Sequence, residues 1–310
     1  MILLCGVASE QTLAVVNEAI LRLGGAATIF DQRNVLDSEI ELVCGQEISG
    51  KIRTAGTEID LGEVTATYLR FYDSRQSAAV ARSGGASPES RHALDVDDCL
   101  WSWAELTPAL VLNRPAAMAS NGSKPFQAEM IRRSGFEIPE TLITTDPEAV
   151  LAFQAEHGDV IYKSISGVRS VVSRVTAESL SRLSNVAWCP TQFQQRIGGI
   201  EYRAHVVGDD VFACRILTEA DDYRYAARQG FSLEIERCEL PPECADRCRS
   251  LTRGMGLLLA GIDLRLSPDD RWYCFEVNPS PGFTYYQRWT NQPIDEAIAR
   301  LLISISDRHV

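Results

Sequence analysis

The sequence predicts an α/β fold built from several lobes, and three observations support this prediction. The chain opens in the order strand, helix, strand, with "MILLCG", "SEQTLAVVNEAILRLGG" and "AATIFD". Its second half contains antiparallel hairpins, of which "AGIDLRLSPDDRWYCFEVNP" is the clearest. The chain has 310 residues, 45% of them hydrophobic, and is therefore long enough to divide into two or three lobes.

The N-terminal part continues with short segments. Alternating patterns fill residues 41–72, where Gly50, Gly56 and Gly62 mark turns, so we expect several short strands. The composition of "RQSAAVARSGGASPES" is typical of a loop, and the helix after it carries two tryptophans that we expect to fill a core. The first turn contains only Gly6 of the three glycines in a dinucleotide fingerprint, which argues against a dinucleotide site there.

A lysine at a strand end indicates a phosphate site in the second half of the chain. The segment "DVIYKSISGVRSVVSRV" places Lys163 after an apolar strand and before a Ser/Gly-rich loop and another strand. Backbone N–H groups of such a loop can surround phosphates, while the ammonium group neutralises their charge. A solvated surface lysine explains this segment equally well, so the residues alone leave both interpretations open.

The following segment, "TQFQQRIGGIEYRAHVVGDDVFACRI", predicts a strand to Ile197, a Gly-Gly turn and two antiparallel strands joined at "GDD". Glu201 and Arg203 are two residues apart on the first strand of this pair, so their side chains share one face of the sheet. An acidic and a basic side chain therefore lie side by side in the predicted hairpin.

Three oxygen-bearing side chains converge in the final hairpin. Glu276 and Asn278 lie late in its second strand and point the same way, and Asp263 can reach them from the first strand. Hard oxygen ligands suit Mg²⁺, which keeps waters and completes its octahedron with substrate phosphates. Pro279 and Pro281 restrict the exit of the strand. The alternative is a hairpin end whose polar groups are simply solvated.

Charge and cysteine usage limit the class of protein. The net charge of -12 argues against a general affinity for nucleic acid or anionic membranes, and no signal peptide or long apolar run is present, so we expect a cytoplasmic protein. Nine scattered cysteines predict reduced thiols. Cys238, Cys244 and Cys248 could form a zinc site, but they contain no CxxC pair, and a helix face explains their spacing better.

Together these motifs resemble the ATP-grasp superfamily. The resemblance rests on the spacing of Asp263, Glu276 and Asn278, on the "FEVNPSPGF" turn, on Lys163 before its loop, and on Lys124 in "NGSKPFQAEMIRRSGFEIPETLI". It covers nearly all of the chain from about residue 113 onward, with the motifs in the right order. The resemblance thus implies an α/β protein with α+β lobes, in which an ATP-grasp fold follows an N-terminal α/β (pre-ATP-grasp) domain.

The resemblance also implies domain limits and site residues. The expected domains are residues 1–113, a central ATP-grasp lobe of residues 114–190, and a C-terminal lobe of residues 191–310 that carries the metal site. In such enzymes two lobes clamp ATP, so that lysines contact the phosphates, the "FQQRI" segment lines the adenine pocket, and an acidic residue holds the ribose. The implied ATP contacts are Lys124, Lys163, Ser164, Gly167, Gln194, Gln195, Arg196, Ile197 and Glu201, and the implied metal ligands are Asp263, Glu276 and Asn278.

Within the superfamily, the chain is most similar to RimK-type ligases and graspetide macrocyclases. This similarity rests on "PETLITTDPEAVLAF" before "VIYKSISG", on the arginines of "EYRAHVVGDDVFACR" and "DDYR", and on "TATYLRFY" with Arg70 at the matching position. The chain departs from the RimK type in two places. Gln194 and Gln195 replace the expected Gln-Glu pair, and "RYAARQG" lacks an asparagine. These departures bear on the adenine contacts and on the choice of acceptor.

This branch implies a mechanism in which a carboxylate attacks the γ-phosphate of ATP and an amine or hydroxyl then displaces phosphate from the acyl phosphate. Arginine forks could clamp the carboxylate or the acyl phosphate, and our candidates are Arg203, Arg215 and Arg224. A surface ion pair is the alternative for each of them. The implied cofactors are ATP and Mg²⁺, with Mn²⁺ as a substitute metal.

The expected partner is a peptide or amino-acid substrate, with neither nucleic acid nor membrane, and family analogy suggests a homodimer. Two functional interpretations remain open within catalysis: a macrocyclase that crosslinks one peptide, which we favour slightly, and a RimK-like ligase that adds an amino acid to another molecule. A non-catalytic nucleotide-binding module would lack metal ligands or arginines, and a pure interaction protein would show an apolar surface or a charged tail. The sequence contains the metal ligands and the arginines, and neither an apolar surface nor a charged tail stands out in it.

Overall fold

A computed structural model describes residues 1–165, 172–218, 220, 223 and 230–306, and the strands among them form four sheets. In chain order, the strands are β1 (Ile2–Gly6), β2 (Ala27–Asp31), β3 (Glu39–Cys44), β4 (Ile48–Thr54), β5 (Thr57–Asp60), β6 (Ala66–Arg70), β7 (Leu110–Leu112), β8 (Thr141–Thr144), β9 (Val160–Ser164), β10 (Ser173–Arg174), β11 (Thr191–Gln195), β12 (Ile200–Val207), β13 (Asp210–Leu217), β14 (Glu234–Cys238), β15 (Leu259–Leu266) and β16 (Trp272–Asn278). The helices are α1 (Gln11–Arg22), α2 (Ala78–Ser83), α3 (Pro88–Leu106), α4 (Pro115–Met118), α5 (Lys124–Arg133), α6 (Pro147–His157), α7 (Ala177–Leu180), α8 (Pro242–Gly254), α9 (Thr284–Thr290) and α10 (Ile294–Ser306).

The N-terminal sheet is parallel, in the order β2-β1-β6-β7. Its central strand β1 is buried at every position because α1 and α10 cover one face and α3 covers the other. The predicted strand, helix, strand opening is therefore confirmed. Helix α1 begins after Glu10, whose carboxylate accepts a hydrogen bond from the backbone N–H of Leu13 at 2.8 Å. Trp103 on α3 is fully buried, as expected of a core tryptophan.

The alternating segments after β2 form a small antiparallel sheet in the order β3-β4-β5, which confirms the short strands expected there. The segment expected to be a loop, "RQSAAVARSGGASPES", is instead partly helical and contains α2. Ser77 caps this helix by accepting a hydrogen bond from the N–H of Val80, and the Val80 side chain is buried in the N-terminal core. One apolar anchor and one cap thus override the loop-like composition.

The central sheet is antiparallel, in the order β10-β9-β11-β8, and α6 packs on it through Val150. The five-stranded sheet, in the order β14-β13-β12-β15-β16, is also antiparallel, and α8 and α5 cover one of its faces. Its opposite face, near β9 and β11, borders the cleft between these two sheets. The predicted hairpins β12-β13 and β15-β16 are both present.

The sheets and the helices that cover them draw on segments from different parts of the chain. Strand β11 (191–195), expected in the C-terminal lobe, pairs with β8 and β9 of the central sheet. Helix α5, expected in the central lobe, packs under β16 and α8. Helix α10 packs on the N-terminal sheet through Ile298 and Leu302. Segments distant in sequence therefore complete each core, because each sheet needs a helix to cover its apolar face.

Asn113, at the end of the expected first domain, fastens that domain to the five-stranded sheet. Its side chain is 2% exposed. The Nδ2 group donates to the carbonyls of Leu259 and Pro279 at 2.7 and 2.6 Å, and Oδ1 accepts from the N–H groups of Leu258 and Leu259. Every hydrogen-bonding position of this buried amide is used, so the two regions are held in one register.

Two further expectations concern cysteines and membranes. Within the described ranges no group of three or more His, Cys, Asp or Glu side chains could hold a metal ion. Cys244 and Cys248 are buried in the core under the five-stranded sheet, and Cys238 packs against them. None of the helices described is both long and apolar enough to span a membrane.

Candidate active site

A bulge in β16 determines where the side chains of the last hairpin point. Asp263 lies opposite Glu276 and Leu264 lies opposite Cys274, so Phe275 is an extra residue between them. Leu264 and Cys274 pack in the core shared with α8, where Cys274 also borders the cleft, and Phe275 and Glu276 both line the cleft. A regular strand would send two successive side chains to opposite faces, so the bulge brings both of them to the cleft.

The structure brings the three expected metal ligands together. Asp263 and Glu276 are cross-strand neighbours, and Asn278, two residues beyond Glu276, lies opposite Gly261. Two carboxylates and one amide oxygen on one face form a donor set that fits Mg²⁺. Asn278 Oδ1 accepts a hydrogen bond from the backbone N–H of Ser280 at 2.9 Å, which couples this side chain to the turn after the strand.

Side chains from earlier parts of the chain support β16 and the turn that follows it. Gln127 on α5 is 3% exposed and bonds both the N–H and the carbonyl of Val277, at 2.9 and 2.8 Å. Arg70, at the end of β6, donates to the carbonyl and hydroxyl oxygens of Ser280 at 2.9 and 2.8 Å and forms an ion pair with Glu10 at 3.0 Å. Strand β16 and the turn after it are thus fixed from two other parts of the molecule.

Arg203 is buried beside the expected metal site. Its guanidinium group donates to Asp263 at 2.5 Å and lies 5.6 Å from the centre of the Tyr286 ring. Burial alone would lower the pKa of Arg203, but the Asp263 carboxylate outweighs it and raises the pKa above its usual value. Tyr286 is hydrogen-bonded through its hydroxyl to Tyr223. Arg203 therefore stays a permanent cation next to the carboxylates.

The expected phosphate lysines line the same cleft as Glu276. Lys124 Nζ donates to the carbonyl of Ser164 at 3.1 Å, and Lys163 Nζ donates to Gln194 Oε1 at 3.4 Å. Both ammonium groups line a cleft of about 440 Å³, together with Glu276 and Phe275. Gly167, expected in the phosphate loop, lies outside the described residues.

The segment expected to line the adenine pocket borders a smaller recess of about 190 Å³ on the other side of Phe275. Gln195, Arg196 and Ile197 border this recess, whereas Gln194 is buried and donates to the hydroxyl of Thr141 at 3.0 Å. The N–H of Arg196 donates to the carbonyl of Asp159 and its guanidinium pairs with the carboxylate of that residue at 3.2 Å. These contacts anchor the segment to Thr141 and Asp159 of the central region.

Glu201, expected to hold the ribose, also borders this recess. Arg265 donates to Glu201 Oε2 at 3.0 Å and to the carbonyl of Ile197 at 2.7 Å, and its guanidinium lies 5.1 Å from the centre of the Phe275 ring. One half-buried arginine thus links Ile197, Glu201 and Phe275. Sequence reasoning missed it, although its two-residue spacing from Asp263 placed it on the same face of β15.

The other two candidate arginines have different outcomes. Arg215 alternates with the buried Cys214 and Ile216 on β13, so its side chain lies on the face away from Arg203. It is exposed and forms an ion pair with Glu236 on the neighbouring strand. The structure does not bring Arg215 to the cleft. Arg224 lies outside the described residues.

Gln192 is a second residue that the sequence analysis missed. It lies opposite Lys163 in the central sheet and lines the larger cleft, and it is 3% exposed. Its buried Oε1 has no hydrogen-bond partner among the described residues. An amide in this position is available to a ligand, since an unpaired buried acceptor is costly. The signal in the sequence was a polar residue two positions before Gln194, on the same face of the strand.

Comparisons with known proteins agree with this geometry. The model of the family described as a RimK-like ATP-grasp domain matches residues 123–302. The chain is 25% identical to the macrocyclase MdnC, whose solved structure is bound with the precursor peptide MdnA from Microcystis aeruginosa MRC. That match has a TM-score of 0.81 and covers 98% of this chain and 99% of MdnC. No match was found among curated proteins.

Two further solved structures are similar over nearly the whole chain. The ATP-grasp ligase PsnB, complexed with a phosphomimetic variant of a minimal precursor, Mg and ADP, is 27% identical with a TM-score of 0.82, and the match covers 98% of each chain. A RiPP-associated ATP-grasp ligase from Chryseobacterium gregarium, in complex with ADP and a leader and core peptide, is 23% identical, which supports the fold alone. Its TM-score is 0.82, over 98% of this chain and 96% of that chain.

Proposed function

The chain belongs to the RimK-like ATP-grasp family, and from this premise we propose that it is an ATP-dependent ligase that joins side chains within a peptide. The observation that carries the proposal is the similarity to MdnC, which extends over 98% of this chain and 99% of the other. It therefore includes the N-terminal sheet, which lies outside the family match at residues 123–302. PsnB, solved with a precursor peptide, is similar over the same extent.

The cleft suits the activation of a carboxylate by ATP. We propose that the nucleoside lies in the recess bordered by Gln195, Ile197 and Glu201, and that Lys124 and Lys163 contact the phosphates. Ser164 would contribute at the loop end next to Lys163, and Gln194 keeps the Lys163 ammonium aimed by accepting its hydrogen bond. Cations positioned beside the phosphates supply much of the catalysis in such a reaction.

Asp263, Glu276 and Asn278 would hold Mg²⁺, and Mn²⁺ is a substitute with the same preference for oxygen ligands. Bound there, the metal supplies positive charge that offsets the charge on the phosphates. Arg203, buried against Asp263, is our candidate for stabilising the transferred phosphoryl group. Its fork geometry suits an acyl phosphate better than a lysine would.

In the proposed reaction, a carboxylate oxygen of the peptide attacks the γ-phosphorus of ATP, and the bond to the bridging oxygen breaks to release ADP. A hydroxyl or amine of the same peptide then attacks the acyl carbon, loses its proton, and releases phosphate. The product is an ester or an amide, and the peptide loses one water for each bond formed. No nucleophilic side chain of the protein is needed.

Mass spectrometry of peptides incubated with the protein, ATP and magnesium tests this proposal. The loss of one or more waters is the expected result. A mass gain equal to an added amino acid would instead identify an intermolecular ligase of the RimK kind. Glu276→Gln and Asn278→Ala should each abolish magnesium-dependent turnover, whereas unchanged Mg-ATP binding and turnover in both variants would make the site assignment wrong.

Two further expectations accompany this proposal. All nine cysteines are free, which suits a reducing compartment, and we propose that the enzyme acts in the cytoplasm. Family resemblance also implies a homodimer, which light scattering of the purified protein would test. The expected substrate remains a peptide or amino acid, and the acidic net charge of -12 supports neither nucleic acid nor an anionic membrane as a partner.

A further inference from the structure

Gly261 lies directly under the guanidinium group of Arg203. A Cβ atom at position 261 would come within 2.0 Å of Nη2 and 2.6 Å of Cζ of Arg203, and within 2.8 Å of Cβ of Pro281. These separations are far below van der Waals contact, so no side chain fits there while Arg203 keeps its place. Gly261 does not have a positive φ, so alanine could adopt the same backbone conformation. Glycine is needed at this position only because a Cβ atom would clash with Arg203 and Pro281.

Three other groups enclose the same guanidinium. Asp263 accepts its hydrogen bond at 2.5 Å, the Tyr286 ring lies 5.6 Å away, and Nε donates to His205 Nε2 at 3.5 Å. The Arg203 side chain is only 6% exposed. Asp263, Tyr286 and His205 therefore enclose the long, flexible side chain of Arg203. Its guanidinium group occupies the space that the missing side chain of Gly261 leaves.

His205 can accept this hydrogen bond only while Nε2 carries no proton. The imidazole is 1% exposed and packs 5.0 Å from the Tyr286 ring. Burial, aided by the positive charge of Arg203, holds the pKa of His205 well below its ordinary value. A neutral ring with a lone pair directed at Arg203 is the result, and this ring lies on the same face of β12 as Arg203.

We propose that Gly261 and His205 are positioning residues, which fix the Arg203 guanidinium against Asp263 so that its positive charge stays in place for the transferred phosphoryl group. The part of this inference that concerns phosphoryl transfer rests on the proposed function. A displacement of about 1 Å in a catalytic group can cost roughly 100-fold in rate, so a methyl group at position 261 has a large expected effect.

Gly261→Ala is the main test, and Gly254→Ala is its matched control. Gly254 ends α8 and has open space where a Cβ would be. We expect Gly261→Ala to lower kcat for peptide modification by about 100-fold while the Kd for Mg-ADP changes by less than about 2-fold. Gly254→Ala should match the wild type in both. Equal kcat for Gly261→Ala and wild type would overturn the proposal.

A double-mutant cycle with Arg203→Met separates positioning from general damage. If Gly261 acts through the guanidinium, adding Gly261→Ala to Arg203→Met should cause less than about 3-fold further loss, because the displaced group is already absent. An additive 100-fold loss would overturn the proposal. His205→Phe should also reduce kcat, and His205→Gln, which keeps an acceptor, should recover part of the loss. If His205→Gln recovered none of the lost kcat, His205 would not be a positioning residue.

A measurement that needs no turnover keeps this inference separate from the proposed function. In ¹⁵N-labelled protein, the Nε–H signal of Arg203, identified by its absence in Arg203→Met, should exchange slowly with water. It should exchange at least 10-fold faster in Gly261→Ala and not in Gly254→Ala. Fast exchange in the wild type would refute the positioning. Slow exchange together with no modified peptide would refute the proposed function alone.

Discussion

Arg70→Met tests how strongly the N-terminal sheet holds the turn after the β15-β16 hairpin. The Arg70 and Glu10 side chains are 10% and 15% exposed and lie 3.0 Å apart. Removing one partner of a buried ion pair costs about 3–5 kcal/mol. We expect a loss of about 3 kcal/mol, at the lower end, because Glu10 keeps its hydrogen bond from the N–H of Leu13. Methionine preserves the length of the side chain and removes only the polar head.

The assay is urea unfolding followed by fluorescence, with Glu10→Gln as the control. That variant removes the charge and keeps a single oxygen, which can accept from the N–H of Leu13 or from Arg70 but not from both, so it should cost about 2 kcal/mol. A loss of less than about 1 kcal/mol in Arg70→Met would refute the reasoning. Because Arg70 bonds Ser280, and Ser280 bonds Asn278, the variant should also need more magnesium for half-maximal ADP binding.

The same pair predicts a dependence on pH. Burial tends to raise the pKa of Glu10, but the charge and hydrogen bond of Arg70, with the N–H of Leu13, outweigh it, so the pKa is lower than usual. A lowered pKa in the folded state stabilises above the unfolded value of about 4.3, and this stabilisation is lost as the pH falls through the folded value. The stability difference between wild type and Arg70→Met should therefore shrink below about pH 4.

Three further predictions concern other residues. Asn113→Ala should lower the free energy of unfolding by about 3 kcal/mol in urea titrations, because it leaves four buried backbone groups without their partner. Gln192→Met should weaken Mg-ADP binding about 10-fold by calorimetry without lowering the melting temperature, since its Oε1 has no partner in the described structure. Arg215→Ala should leave kcat within about 2-fold of wild type and cost under about 1 kcal/mol, because Arg215 forms only an exposed pair with Glu236; a large loss of kcat would restore its catalytic role.

Much of the candidate site could be predicted from local pattern. Period-two alternation placed Glu201 beside Arg203 and Glu276 beside Asn278, and the hairpin register observed in the structure agrees with both expectations. The same rule excludes Arg215 from the cleft. Arg215 is next in sequence to the buried Cys214, so its side chain points to the opposite face of β13. That exclusion required knowing which face of β13 was buried, and this depends on the neighbouring strands.

The support around the site could not be predicted in the same way. Arg70 and Gln127 bond backbone groups more than 100 residues away, and nothing in their local sequence indicates those partners. The bulge at Phe275 depends on how β16 pairs with β15, since one extra residue in one strand has no signature of its own in this segment. Long-range register, and not local propensity, positions these groups.

By itself, the sequence determined the α/β class, the order of the motifs and the residue types that suit phosphates and a divalent cation. These follow from periodicity and ligand chemistry, which act over a few neighbouring residues. Only the tertiary structure decided that β11 joins the central sheet, that α10 covers the N-terminal sheet, and that Gly261 leaves space for Arg203. Those outcomes depend on which apolar faces meet and how closely backbones approach, and distant segments settle both together.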